Sequence, residues 1–145
     1  MIKSILCPVD VSEPKENAPL LSVAAQMAEL HGAKLQVMTV VPDYGMSVVG
    51  QFFEKDHHDK AVEHAQQLLH QIIQDTLGAK ANEAANHLVA TGGNAYEKIL
   101  EVADAVEADL IVLGAHRPDF KDYLLGPNAA RVVRHSKCSV YVVRQ

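Results

Sequence analysis

The hexapeptide Ile5-Leu6-Cys7-Pro8-Val9-Asp10 sets the reading of the whole chain, because it is an apolar run too short for a helix that stops at an acid. Runs of the same kind recur at residues 35–41, 87–91, 110–113 and 140–143. Most of them are continuously apolar, without in-and-out alternation. Strands covered on both faces require that pattern, and parallel sheets are built from such strands.

Between the runs the period changes to that of a helix. Leu20, Leu21, Ala24, Met27 and Ala28 form one apolar stripe, and Gly32 follows as a stop. A second stripe holds Ala61, Ala65, Leu68, Leu69 and Ile72, with Gly78 closing it. A third helix starts at Asn94, with Glu97 three residues on in the spacing of a capping box, and carries Tyr96, Ile99, Leu100 and Ala103. The fourth follows Gly126, opens on Pro127 and turns Ala129, Val132 and Val133 inward. Five strands alternating with four helices, joined by right-handed crossovers, predict an α/β fold with an open, doubly wound, five-stranded parallel sheet. No linker or repeat divides the chain, so residues 1–145 read as a single domain.

Composition narrows the function. A net charge of -5 gives no broad attraction to nucleic acid or anionic lipid. No apolar run reaches the ~20 residues of a membrane span. The opening Met1-Ile2-Lys3-Ser4-Ile5-Leu6 has no signal-peptide core, so a cytoplasmic protein is expected. Cys7 and Cys138 have neither metal-type nor redox-type spacing, and Cys7 in a buried strand reads as a small hydrophobe.

Three features converge on the carboxyl edge of the expected sheet, where open α/β sheets bind ligands. Asp10 follows the first strand. Its carboxylate suits a ribose hydroxyl or a base amino group, and it suits a helix N-terminus equally well. Thr39-Val40-Val41-Pro42 ends the second strand, where backbone groups can pair with an adenine edge and Val41 can pack on the base. The third is the stretch from Gly114 through His116, Arg117 and Pro118 to Gly126, Pro127 and Asn128. A glycine ends the fourth strand, a polar loop follows, and a helix starts. Backbone N–H groups at a helix N-terminus beside a cation hold phosphates, and Arg117 offers bidentate donors.

With these residues in view the whole chain resembles the universal stress protein family, from Ile5-Leu6-x-Pro8-Val9-Asp10 to Ser139-Val140-Tyr141-Val142-Val143-Arg144. The resemblance implies a Rossmann-like fold of the adenine nucleotide alpha-hydrolase type and binding of ATP, with the accompaniment of Mg²⁺ left open. It carries the nucleoside to Pro8, Val9, Asp10, Val40 and Val41. The phosphates fall to Gly114, His116, Arg117, Gly126, Pro127 and Asn128, and Gly92 becomes a secondary contact. It also implies a homodimer joined along the last strand and a regulated partner, of which a transporter is one candidate. The family's G-x2-G-x9-G-[ST] loop is altered here: Arg117 replaces the second glycine, the spacer is one residue short, and Pro127 stands where a Ser or Thr is usual. Arg117 and Asn128 are the residues expected to offset the donors lost at Pro127.

Other tempting features carry less. His57, His58, His64 and His70 are spaced mainly six and seven apart and read as a solvated face, and His87 reads as a strand-end residue. Gly92-Gly93-Asn94 reads equally as a tight turn into the third helix. Neither a Walker lysine, a G-x-G-x-x-G run nor a serine elbow is present, and Ser12 fits no nucleophile pattern. Three readings therefore stand: a nucleotide-binding regulator, a dimeric interaction module of the same fold without nucleotide, and a slow ATP hydrolase. The acids of Asp10-Val11-Ser12-Glu13, in place of a glycine-rich loop, argue against the hydrolase.

Overall fold

The computed structural model describes residues 1–41, 54–115 and 126–144, with side chains left out at 54–58, 126 and 127. Its strands are β1 (Ser4–Pro8), β2 (Lys34–Val41), β3 (Asn86–Thr91), β4 (Leu110–Ala115) and β5 (Ser139–Arg144). They form one all-parallel sheet in the order β3-β2-β1-β4-β5. The order tracks burial. β1, β2 and β4 lie at the centre and are buried along nearly their whole length, whereas β3 and β5 form the half-exposed edges. Continuous apolar strands thus occupy the positions that helices cover from both sides.

The helices are α1 (Asn17–His31), α2 (Glu54–Leu77), α3 (Ala79–Ala84), α4 (Ala95–Ala105) and α5 (Gly126–His135), with a short 3₁₀ turn at Pro14–Glu16. α1 packs beside α2 and α4 beside α5, one pair on each face, as right-handed crossovers demand when the strand order runs outward from β1 in both directions. Between the layers Ile5, Leu6, Leu20, Leu21, Val37, Met38, Leu69, Ile73, Ile99, Ile111 and Leu113 are almost wholly buried.

Local signals explain most boundaries. Gly32 takes the left-handed conformation (φ 62°), and its N–H reaches back to Ala28 and Glu29 to end α1. Three expectations need correction. Among the described residues there are five α-helices, one more than expected: Gly78 closes α2, but at φ 89° it redirects the chain into the alanine-rich turn and a half of α3, which has no apolar stripe to betray it. The capping box at Asn94 does not form; the Asn94 amide donates to Glu97 Oε1 at 3.3 Å, and the α4 N-terminus is capped from another element. Val133 does not point inward: Val132 fills the core of α5, and Val133, a further 100° round the helix, is 51% exposed.

Candidate functional site

The sheet reverses its winding between β1 and β4, the switch point at which doubly wound folds bind ligands. At that seam the pairing runs only through Ile5↔Leu110 and Leu6↔Ile111, then stops two residues before β1 ends. Pro8 supplies the reason. In a parallel strand, alternate residues turn their backbone groups to opposite neighbours. Lys34 N–H donates to Lys3 C=O and Val9 N–H donates to Met38 C=O, both at 2.8 Å, so the odd residues of this segment face β2. Pro8 therefore faces β4, and it has no N–H with which to continue the ladder. The β1–β4 pairing is thus over before β1 reaches Asp10, while β4 runs on through Gly114 to Ala115.

Asp10 is held in place from three directions. Its Oδ1 accepts the Ser12 N–H at 3.0 Å and the Ser12 hydroxyl at 2.6 Å. Its N–H donates to Asn17 Oδ1, and its C=O accepts both the Asn17 side-chain amide and the Glu13 N–H. The same Asn17 amide reaches Glu13 C=O at 2.9 Å. Asn17, only 3% exposed, thus ties the whole β1–α1 turn together. Sequence reasoning missed it, since an Asn seven residues past the acid has no signature until the turn closes. The helix-terminal reading of Asp10 falls away, because the residue before α1 is Glu16 and Asp10 lies in the loop ahead of it.

The glycines of the edge divide into two kinds. Gly92 and Gly93 have φ of 80° and 64°, which the turn from β3 into α4 requires of them. Gly92 N–H already donates to Val41 C=O at 3.2 Å. That bond engages the Val41 carbonyl as well, so of the two β2 residues only Val40, which turns its backbone the other way, offers an edge on the β1 side. Gly114 differs. Its φ is not positive, and a Cβ placed there would meet Leu20 Cδ2 at 3.6 Å, an ordinary contact. Among the described residues, neither conformation nor packing calls for glycine at 114.

Gly126 and Pro127 open α5 directly after this edge, while His116 and Arg117 lie outside the described residues. Asn128 Oδ1 accepts the Tyr96 N–H at 3.1 Å, so the start of α5 caps the start of α4. Two helix N-termini, each with the positive end of its dipole, are thereby joined on one edge of the sheet. Arg131, one turn further along α5, sits over the Tyr96 ring at 5.1 Å.

Elsewhere the chemistry is quieter. Burial pushes the Cys7 thiol far above its ordinary range, which makes it inert. A recess of about 450 Å³ lies at the opposite, amino edge, between the C-terminal ends of α4 and α5 and beside Asp104, Asp109 and Cys138. Its lining mixes the carboxylates of Asp104 and Asp109 with His135 and Lys137, and it lies at helix C-termini, whose dipole disfavours phosphate. Among the described residues no three His, Cys, Asp or Glu side chains cluster as a metal site, and no helix is long and apolar enough to cross a membrane.

Relatives share this architecture from end to end. Universal stress protein G of Shigella flexneri is 27% identical over 150 residues, covering 99% of this chain and all of its own. The solved universal stress protein UspA from Lactobacillus plantarum superposes with a TM-score of 0.76 at 27% identity, covering 99% of this chain and 98% of its own. A universal stress protein solved in complex with cAMP has a TM-score of 0.65 at 24% identity, with 99% and 97% covered. The model of the universal stress protein family matches residues 1–144, and this chain belongs to that family.

Proposed function

We propose that this chain is a regulatory protein that binds an adenine nucleotide, ATP, in the crevice between β1 and β4. The observation that carries the reading is the end of β1–β4 pairing ahead of Pro8, flanked by an Asp10 held in its turn and by a glycine at 114 that its described neighbours do not require. Asp10 and Val40 would take the nucleoside, and Gly114 with the start of α5 would take the phosphates. Arg117 and His116 would supply charge from the loop, and any Mg²⁺ would travel with the phosphates. The solved relative bound to cAMP supports an adenine ligand for this fold. Turnover is not part of the proposal.

The commitment of Asn128 Oδ1 to Tyr96, together with the missing N–H at Pro127, favours one second reading: an interaction module with no nucleotide. Isothermal titration of nucleotide-stripped protein with ATP, AMP and adenosine, with and without Mg²⁺, separates the two. Saturable binding that weakens as phosphates are removed is expected; no heat with any of the three assigns the chain to the second reading.

A homodimer through β5 belongs to the same proposal. β5 is a sheet edge, and it carries Tyr141, 45% exposed. An apolar strand edge of this kind is normally paired or covered. Light scattering after size exclusion should give twice the monomer mass, and Tyr141→Lys should shift it toward monomer.

A further inference from the structure

At the far side of the sheet, α2, α3 and β3 bring together four side chains that sequence spacing keeps apart. The rings of His70 and His87 lie with centroids 5.6 Å apart and planes tilted by 49°. Asn82 sits between them, 4% exposed. Its side-chain amide nitrogen is 3.1 and 3.3 Å from the two ring nitrogens of His70 and 2.9 Å from Gln74 Oε1. Its own Oδ1 is buried with no partner.

The cluster leaves one acceptor unmet. The two protons of the amide nitrogen match Gln74 Oε1 and the one His70 ring nitrogen that carries no proton, while the buried amide oxygen has no donor at all. His87 adds another lone pair. Its Nε2 lies 3.1 Å from Asn82 C=O, a contact that only a ring N–H can make, so Nε2 carries the proton and Nδ1 is the basic nitrogen. A ring N–H donated to a backbone carbonyl is the arrangement that orients a metal-binding histidine. A buried acceptor without a donor, among imidazole nitrogens and amide oxygens, is the environment a cation relieves.

We propose that His70 and His87, completed by amide oxygen from Asn82 or Gln74, bind one divalent transition-metal ion of the zinc class. Imidazole selects zinc and its neighbours over magnesium and calcium, and two rings each ~2.1 Å from one ion have centroids at about the observed separation. The ion would pin α3 and the last turns of α2 to the edge strand β3. The site lies at the amino end of β3 and owes nothing to the nucleotide reading.

The test is titration of the metal-free full-length protein with ZnCl₂ against a chromophoric chelator, with Co²⁺ absorption as a second readout. One ion per chain is expected, with affinity falling about tenfold or more in both H70A and H87A and unchanged in H64A, whose histidine lies on the same helix outside the cluster. His70 is exposed, so H70A keeps the test decisive if H87A folds poorly. No saturable zinc uptake, or uptake that H70A leaves intact, overturns the proposal.

Discussion

The seam between β1 and β4 is tied at one end and open at the other. At the amino end, Asp109 Oδ2 accepts the N–H groups of Lys3 and Ser4 at 2.7 and 3.0 Å. Asp109 N–H donates to Ser4 C=O, and the Ser4 hydroxyl donates to Val106 C=O. At the carboxyl end the pairing stops after Leu6↔Ile111, two residues before β1 ends at Pro8. The same two strands are thus tied at one end and unpaired at the other. A single missing N–H separates the two behaviours, with no cavity carved from the core.

That contrast can be attacked from both ends. The largest effect is expected from Asn17→Ala, which strips a buried amide of its bonds to Asp10 and Glu13. Stability should fall by about 2–3 kcal/mol in urea unfolding, and nucleotide affinity should fall with it because Asp10 loses its support. Next comes Arg117→Ala, which removes one of the loop's two cations, the other being Lys121. If the open end holds phosphate, ATP affinity drops by about 1.5–3 kcal/mol, roughly ten- to hundredfold, while adenosine changes little in the same titration.

Pro8→Ala restores the N–H and lets the β1–β4 ladder run on. A gain of roughly 0.5–1.5 kcal/mol from the added bond is set against the looser unfolded chain, so stability should shift by less than that, while ATP binds more weakly. Gly114→Ala should change the unfolding free energy by no more than about 0.5 kcal/mol and still weaken ATP. A large loss of stability instead would show that glycine at 114 serves the fold.

The smallest effect concerns the tied end. The N–H groups of Lys3 and Ser4 hold the Asp109 carboxyl below its ordinary value of 3.8. Its contribution is therefore present above pH 3.8 and is lost as pH falls further through the folded-state value. Asp109→Asn should flatten the acid limb of the stability curve below about pH 4 by lowering stability slightly at neutral pH, where the carboxylate's contribution is otherwise present.

Much of this was legible in the residues. Continuous apolar runs announced a parallel sheet, because only strands covered on both faces can be apolar at every position, and Gly32 marked the end of α1 because no side chain tolerates its φ so well. The short α3 was hidden, since six alanine-rich residues bury too little to leave a stripe. Val133 was misplaced because two adjacent valines cannot both face one direction on a helix. Asp10 and Gly114 were singled out as candidates from their positions at strand ends, but the bonds that hold Asp10 in its turn were not visible there.

What the sequence alone determined is the class of fold and the edge on which the candidate residues gather, since periodicity and the residue that ends each strand are local properties. Only the tertiary structure decided which strands are neighbours, and with that how Pro8 opens the seam. It also decided that Asn17 holds Asp10, that Asn128 serves α4, and that His70 meets His87. Those are contacts between residues far apart along the chain. They exist only once burial of the apolar strands has set the order of the sheet, and no spacing along the sequence records that order.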